Sequence, residues 1–405
     1  MKIFKKYLQL EEHILLMIAS EFFIQLIGSA FFLILNIYLV KNGFSDPEIA
    51  NFISYRFLAV MLLAFPLGFY IKGKPLKPFF IIGGLGVPIV AITLILAIEY
   101  MYNDYLSILF VLWGVVFTLF QVSSLPYVMR NTASENQSHA ISLNYATHSF
   151  GTIVSGLFIF FAIQFIPQID EGKILLLISC FGFLGVYFLF KMKVDVVEPI
   201  TESFQFNSYD WSLIVKAIIP TLIIAVGAGL TIPFINLFFF HNFEIDSSGF
   251  AVIGGFASFL VAVLALLVPN LKRLLGFQAI TYTQSIAVAA LVALASTEFF
   301  NYYWWALPLA VLCFWIRTPL MNMAAPMTSE LTMNYVGSKN QEMLSAIMAA
   351  IWSGSWFFSS QIFRILKSEG LSYAYIFYIT AALYACGVFL YYLLIIDYQT
   401  REVAN

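Results

Sequence analysis

Apolar stretches long enough to cross a lipid bilayer recur along almost the whole chain. A transmembrane helix needs about 20 predominantly apolar residues. Only 10% of the 405 residues are charged, against about 25% in soluble proteins, which excludes a soluble globular enzyme and a disordered chain. The sequence therefore predicts an all-α polytopic membrane protein with twelve transmembrane helices. The predicted spans are 13–40, 49–71, 79–101, 105–129, 140–165, 174–190, 213–240, 250–268, 277–297, 302–328, 343–366 and 371–396.

Lysine and arginine residues predict the orientation of these helices, because cytoplasmic loops carry an excess of them. With the N-terminus inside, fourteen of the 20 fall in inner segments, four in outer segments and two within the membrane. The first apolar run is too long for the core of a signal peptide, and no small-residue cleavage site follows it. We therefore predict a multi-pass protein of the cell membrane or the bacterial inner membrane, embedded in lipid, with both termini in the cytoplasm.

The two halves of the chain resemble each other at a spacing of 200 residues, or 204 after a four-residue insertion. The matched residues are Asn36 with Asn236, Asn42 with Asn242, Asp46 with Asp246, Pro126 with Pro326, and Asn136-Gln137 with Asn340-Gln341. The alternative is chance similarity between apolar helices. A parallel repeat predicts an N-terminal six-helix bundle over 1–190, a central cytoplasmic loop over 191–212 and a C-terminal six-helix bundle over 213–405. Its site would lie at the interface of the halves, near the membrane midplane.

Twelve spans, a central loop, inner termini and a six-plus-six repeat resemble the major facilitator superfamily (MFS) over nearly the whole chain. The segments GAGLTIPFINLFF, LGFYIKGKPLKP and WIRTPLMNMAAP add to the resemblance. In the family's loop pattern G-x-L-x-D-R-x-G-R-K, Gly68, Gly73 and Lys74 match, whereas Lys72 stands where the family has Asp. Span 5 lacks the Gly-Pro pair of the antiporter signature, so that motif does not support the drug/proton antiporter branch. The resemblance implies the MFS fold, alternating access and a protein that acts as a monomer.

Motifs for other chemistry are incomplete or missing. The segment GFYIKGKP satisfies GxxxxGK, but Pro75 stands where a nucleotide-binding loop has Ser or Thr, and a membrane helix precedes it rather than a strand. Cys180, Cys313 and Cys386 lie far apart and have no metal-binding spacing. A formal net charge of −2 provides no basic face for nucleic acid. We therefore expect no cofactor, no metal and no enzymatic activity, and any active transport would draw on an ion or solute gradient.

Glu21 is an ionisable residue within span 1, where a charge costs about 2.5–3.5 kcal/mol on insertion scales. At about 100° per residue, Gln25, Gly28 and Asn36 lie on the same side of the helix as Glu21. Such a polar stripe is expected to face protein or water. Glu21 is interpreted either as a carboxylate that exchanges protons or as one half of a static ion pair.

Arg317 in span 10 is predicted to lie at a depth similar to that of Glu21. In the family that the chain resembles, spans 1 and 10 line the central cavity, so a Glu21–Arg317 pair is a prediction. Alternatively, Arg317 binds an anionic group of the solute through its planar guanidinium or has a structural role. The family's functional arginine of span 4 is not matched, because Phe117 stands at that place.

Further candidates follow from polar and aromatic residues within the spans. His148 is predicted to be a proton relay or a hydrogen-bonded structural residue, and Asn144 shares its face. Trp352 and Trp356 form either an aromatic platform for a flat or apolar solute or ordinary helix packing. Arg56, near the outer end of span 2, is assigned a gating or structural role. The cavity lining is predicted to comprise Gln25, Asn36, Asn144, Asn236, Asn322, Trp352 and Trp356.

The leading hypothesis is a secondary active transporter that moves a small organic solute by alternating access. Apolar and aromatic spans with few charges favour an amphipathic or drug-like solute, and efflux coupled to protons through Glu21 is the mechanism we favour. A second hypothesis is proton-coupled or facilitated uptake of a small organic solute. The remaining hypotheses are a membrane receptor or scaffold without transport, and a membrane enzyme, for which the short loops offer no catalytic group.

Overall fold

The computed structural model describes residues 10–133, 136–166, 168–194, 209–337 and 340–404. The basic N-terminal tail and most of the central loop predicted from the sequence lie outside these ranges. Within them the regular structure is entirely helical. Every predicted span overlaps one long helix, so the prediction of an all-α membrane protein is confirmed.

Twelve long helices follow one another along the described residues. We number them α1 Glu12–Lys41, α2 Asp46–Tyr70, α3 Lys77–Glu99, α4 Asn103–Asn131, α5 Gln137–Phe165, α6 Glu171–Lys191, α7 Trp211–Phe243, α8 Ser247–Ala265, α9 Gln278–Phe300, α10 Ala306–Val336, α11 Gln341–Ser368 and α12 Tyr373–Ala404. A short helix, Val268–Leu275, lies between α8 and α9. Among the described residues, eleven of the twelve are long and apolar enough to span a bilayer. The twelfth, α11, has 28 residues and a serine-rich sequence.

The tenth helix begins later than the sequence predicts. Its first residue is Ala306, and the predicted start at residue 302 lies in the preceding turn. That turn carries Tyr302 and Trp304, which are 94% and 86% exposed. Aromatic side chains of this kind are typical of the interface between membrane and water. These exposed aromatic residues therefore precede α10 as an expected interfacial anchor and do not belong to the helix.

The internal repeat appears in the packing of each half. In the first half α1 packs against α5 and α6, and α3 packs against α4 and α6. In the second half α7 packs against α11 and α12, and α9 packs against α10 and α12. The same pairs therefore recur with helix numbers shifted by six, and the predicted parallel repeat is confirmed.

Hydrogen bonds repeat at the same two spacings as the sequence. Asn42 Nδ2 donates to Tyr38 O at 2.8 Å, and Asn242 Nδ2 donates to Phe238 O at 3.1 Å. Gln137 Nε2 donates to Met129 O and Gln341 Nε2 donates to Met333 O, both at 3.2 Å. The first two bonds are 200 residues apart and the second two are 204 apart. Chance similarity does not account for this agreement.

The first helix of each half departs from regular α geometry at the corresponding place. In α1 the segment Phe31–Leu35 is a π-helix, and in α7 the segment Ile232–Phe234 is a 3₁₀ helix. Pro233 explains the second departure, because proline has no N–H group for the helix. Asn36 and Asn236 follow these segments closely, so each half places a buried amide at its irregular turn.

Helix contacts divide the chain into two compact units. Unit 1 comprises 1–45, 55–202 and 245–255, and unit 2 comprises 46–54, 203–244 and 256–405. Each unit therefore contains most of one half. The first residues of α2 belong to unit 2, and the first residues of α8 belong to unit 1.

Candidate transport site

Glu21 lies in the first half of α1 and has only 2% of its surface exposed. The hydroxyl of Ser124 on α4 donates a hydrogen bond of 2.7 Å to Glu21 Oε2. Gln25, one turn further along α1, also hydrogen-bonds the carboxyl group. In the described part of unit 1, the groups that bond Glu21 are therefore neutral. A carboxyl group in such surroundings can bind or release a proton without breaking an ion pair.

Gln25 connects this carboxyl group to α5. Its Nε2 atom lies 3.2 Å from Nε2 of His148. An amide NH₂ group only donates, so this bond forms in the imidazole tautomer whose Nε2 atom carries no proton. Glu21 and Gln25 are buried, whereas His148 is exposed. We call the series Ser124–Glu21–Gln25–His148 the polar series; it leads from a buried carboxyl group to an exposed imidazole across α4, α1 and α5.

Close contacts hold α1 and α5 together next to the polar series. Ser29 Oγ lies 3.1 Å from Thr152 Oγ1. At Gly151 the two helices approach so closely that a Cβ atom would lie 3.1 Å from Cβ of Gln25 and 3.2 Å from its carbonyl oxygen. The absence of a side chain at Gly151 therefore allows the register that brings Gln25 to His148.

An apolar groove of about 430 Å³ runs along the same two helices. Its walls are mainly aliphatic and aromatic and include Leu15, Ile18, Phe22, Phe23, Leu143 and Phe150. The helix pair α1–α5 thus carries both a polar series and an apolar groove, and the groove is lined by other residues than those of the polar series.

Arg317 lies within α10 and is 3% exposed. Its Nη2 atom donates a hydrogen bond of 2.9 Å to the hydroxyl of Tyr384 on α12. The guanidinium carbon lies 5.6 Å from the centre of the Tyr384 ring. Arg317 Nε is buried without a hydrogen-bond partner among the described residues. Glu21 belongs to unit 1 and Arg317 to unit 2, so the pair expected between them stays a prediction.

The predicted asparagines occupy three different environments. Asn36 and Asn236 are 2% and 1% exposed, and Asn236 Oδ1 accepts a hydrogen bond from Leu237 N. Asn144 is 8% exposed, and its Oδ1 atom has no hydrogen-bond partner among the described residues. Asn322 is exposed and donates to Thr318 O on its own helix. Their role in lining a cavity stays a prediction.

The two predicted tryptophans lie one turn apart on α11. Trp352 is 41% exposed, whereas Trp356 is half-buried. The backbone of Trp356 lies against α7, because a Cβ atom at Gly229 would be 3.0 Å from Trp356 Cα. Trp352 therefore has a more accessible ring than Trp356, and the aromatic platform stays a prediction.

Arg56 is surrounded by aromatic rings within unit 1. Its guanidinium carbon lies 4.2 Å from the centre of the Trp113 ring, 5.3 Å from Phe117 and 5.5 Å from Phe57. Cation–π contacts of this kind stabilise a desolvated guanidinium by about 2 kcal/mol. Arg56 Nε is buried without a hydrogen-bond partner in the described part of the chain. These contacts support the structural role, and the gating role stays a prediction.

Arg130, at the end of α4, organises the loop after α2, a role that the sequence alone did not indicate. Its two terminal nitrogens donate to Lys74 O at 2.9 Å and to Ile71 O at 3.2 Å. A cation at these carbonyl groups also interacts favourably with the C-terminal end of the α2 dipole. Arg130 thus fixes a loop in which Lys72 replaces the family's Asp. The only sequence signal was a basic residue at a predicted membrane boundary.

Comparison with known proteins identifies the family. The family model "Major Facilitator Superfamily" matches residues 17–360. No curated protein sequence matches the chain. Solved structures with the same fold include a bacterial homologue of the iron transporter ferroportin in an inward-facing state, with 14% identity and a TM-score of 0.72 over 94% of this chain and 98% of that chain.

Two further solved structures share the fold. The nucleoside transporter NupG has 13% identity and a TM-score of 0.75, over 95% of this chain and 100% of that chain. A POT family transporter in complex with 5-aminolevulinic acid has 11% identity and a TM-score of 0.71, over 96% of each chain. Together with the family match and the apolar helices, these likenesses confirm the fold class and a multi-pass integral membrane protein of transporter type. The chain belongs to the Major Facilitator Superfamily.

Proposed function

We propose that this protein is a secondary transporter that moves a small amphipathic organic solute by alternating access and exports it in exchange for protons. The observation that carries the proposal is the Glu21 carboxyl group, which is 2% exposed and bonded by the neutral side chains of Ser124 and Gln25. An acid inside the membrane is costly and marks ion pathways and proton relays. Neutral partners leave Glu21 free to change its protonation state.

The proposed solute class follows from the two kinds of surface that α1 and α5 carry. The groove along α1 and α5 offers an apolar wall of aliphatic and aromatic side chains. The polar series offers hydrogen-bonding groups at Gln25 and His148. A solute with an apolar body and one polar or cationic end complements both. A sugar would require more amides and hydroxyls than α1 and α5 present here.

Coupling follows if the solute and the proton compete for Glu21. A cationic or hydrogen-bonding solute that enters from the cytoplasm favours the ionised carboxylate and displaces its proton. A proton from the opposite side then displaces the solute after the change of access. In this proposal His148 passes a proton between water and the buried part of the series, a role supported by its exposed side chain and its bond to Gln25.

The test measures transport of ethidium, an amphipathic cation, in proteoliposomes with an imposed pH gradient. We expect movement driven by the gradient in the wild-type protein and its loss in Glu21→Gln, which keeps the size of the side chain but cannot ionise. Glu12→Gln is the matched control, because Glu12 is an exposed carboxylate in the first turn of the same helix. Transport by Glu21→Gln that still follows the pH gradient refutes the coupling role.

A second candidate function is uptake of a small organic solute that carries an anionic group. The buried Arg317 favours it, because one nitrogen bonds only the neutral Tyr384 and Nε has no partner among the described residues. Counterflow of labelled benzoate without a pH gradient tests this candidate. Arg317→Gln should abolish counterflow and Arg317→Lys should retain part of it. No counterflow in the wild-type protein, or full counterflow in Arg317→Gln, refutes the anion site.

A further inference from the structure

A second apolar groove, of about 270 Å³, lies within unit 2 between α7 and α12. Its apolar wall comprises Ile219, Pro220, Leu390, Leu393 and Leu394. Ile219 and Leu393 are 39% and 45% exposed, so the groove is accessible from the surroundings of the protein. Pockets for drug-sized ligands measure about 300–1,000 Å³. The groove is smaller than these and suits a single hydrocarbon chain better than a bulky solute.

The polar residues of this groove lie at the predicted cytoplasmic ends of three helices. Lys216 is in the second turn of α7, Tyr335 is next to the last residue of α10, and Asp397 is in the last two turns of α12. The apolar lining residues of α7 follow Lys216, and those of α12 precede Asp397. The groove is therefore apolar towards the membrane core and polar at the predicted interface, which is the order of chain and headgroup in a lipid.

The carboxylate of Asp397 is already paired within unit 2. Arg401 Nη2 lies 3.0 Å from Asp397 Oδ2, and Arg401 Nε donates to Oδ1 at 3.3 Å. The hydroxyl of Tyr335 donates a bond of 2.6 Å to Oδ2. The guanidinium carbon of Arg401 also lies 4.8 Å from the centre of the Tyr335 ring. Both carboxylate oxygens are thus engaged, and the charge of Arg401 balances that of Asp397.

Lys216 adds a positive charge that these groups do not balance. Its side chain is exposed, and within the described part of the chain no carboxylate lies within 4 Å of it, although its charge acts on Asp397 from further away. Lys272 of the same unit, by contrast, is paired with Glu330. The first half has Leu16 at the place that corresponds to Lys216. The cation is therefore a property of this groove and not of the repeat.

We propose that this groove binds one phospholipid with a singly charged anionic headgroup, with an acyl chain between α7 and α12 and the phosphate at Lys216. Charge complementarity decides the headgroup, because basic pockets between helices on the cytoplasmic side attract anionic lipids. The oxygens of Asp397 are engaged and offer little to the cationic group of a zwitterionic lipid. The bound lipid joins the start of α7 to the end of α12. The alternative is a lysine that only extends to water along the lipid surface.

The test counts the lipids bound to purified, delipidated protein by native mass spectrometry. Dioleoylphosphatidylglycerol and dioleoylphosphatidylcholine are titrated in detergent, since they share their chains and differ in the headgroup. Glycerol 3-phosphate supplies the phosphate without a chain. We compare the wild-type protein with Lys216→Gln, Lys216→Arg and Leu393→Trp, which narrows the groove at an exposed position. Lys191→Gln is the matched control, because Lys191 is an exposed lysine at the predicted cytoplasmic end of α6 and does not line the groove.

A lipid site predicts that the wild-type protein binds one phosphatidylglycerol about fivefold more tightly than phosphatidylcholine, as expected for one lysine near an anionic headgroup. Lys216→Gln should lose this preference, whereas Lys216→Arg and Lys191→Gln should keep it. Leu393→Trp should weaken the binding of both lipids. Phosphatidylglycerol should also raise the melting temperature of the wild-type protein more than that of Lys216→Gln.

Three results overturn the proposal. The first is equal binding of the two lipids by the wild-type protein, and the second is an unchanged preference in Lys216→Gln. The third is binding of glycerol 3-phosphate as tight as that of phosphatidylglycerol, which would indicate a site for a free anion. None of these measurements involves transport, so their outcome does not depend on the proposed function.

Discussion

The contact between α1 and α5, which we call the first seam, corresponds to the contact between α7 and α11, the second seam. The two seams share a hydrogen bond between their helices but differ in the side chains around it. In the first, Ser155 Oγ donates a bond of 3.0 Å to Leu26 O; in the second, Ser359 Oγ donates a bond of 2.7 Å to Val226 O. Both bonds join the fifth helix of a half to the first. The repeat has therefore conserved the bond that sets the register of the two helices within each half.

The side chains around that bond differ between the seams. At the places of Glu21, Gln25 and His148 in the first half, the second half has Thr221, Ala225 and Trp352. Thr221 Oγ1 lies 2.6 Å from the hydroxyl of Tyr391, a contact without an ionisable carboxylate or imidazole. At these three places the first seam therefore has two titratable side chains and the second seam has none, although the packing of the two seams is alike. Mutations should separate the two properties.

The largest effect on stability is expected at the closest contact of the second seam. A Cβ atom at Gly229 would lie 2.7 Å from Cβ of Ser359 and 3.0 Å from the backbone of Trp356, so the helices must move apart. We expect Gly229→Ala to lower the free energy of unfolding by up to about 3 kcal/mol, and Gly151→Ala by less. Unfolding in detergent micelles, followed by circular dichroism, measures both.

Gly68→Ala serves as the control for these two variants. Nothing lies within 4 Å of a Cβ atom at Gly68, which is in the last turns of α2. Alanine also favours a helix over glycine by about 1 kcal/mol. The free energy of unfolding should stay the same or rise. A loss equal to that of Gly229→Ala would contradict the explanation by close packing.

A smaller loss of stability is expected at Gln25, with a loss of proton coupling. Gln25→Leu removes the amide that bonds both Glu21 and His148 and should cost about 2 kcal/mol, since two buried polar groups lose a partner. Thr221→Val, at the place in the second seam that corresponds to Glu21, removes one neutral bond and should cost about 1 kcal/mol. Unfolding and transport driven by a pH gradient are measured on both variants. Loss of coupling in Thr221→Val would show that the seams do not differ in chemistry.

The smallest effects are expected at the conserved serine bonds. Ser155→Ala and Ser359→Ala each remove one hydrogen bond to a backbone carbonyl and should each lower the free energy of unfolding by about 1 kcal/mol. Neither variant should change the dependence of transport on pH. The same unfolding and proteoliposome measurements apply. A difference of more than about 2 kcal/mol between the two variants would mean that the bonds are not equivalent.

The fold could be predicted from the sequence because hydropathy determines the spans and the matches at 200 and 204 residues determine the repeat. The helical period also placed Gln25 beside Glu21, as the structure has it. Ser124 could not be predicted as a partner of Glu21, because the register of α4 against α1 depends on packing between helices. The loop-binding role of Arg130 was missed for the same reason. The Glu21–Arg317 pair remains a prediction.

Proton release on solute binding tests most directly whether the first seam carries the proton chemistry. Ethidium is added to purified protein in weakly buffered detergent solution, and the change in pH is recorded. We predict that the wild-type protein and Thr221→Val release protons, whereas Glu21→Gln binds ethidium and releases none. Equal proton release by Glu21→Gln and the wild-type protein would contradict it.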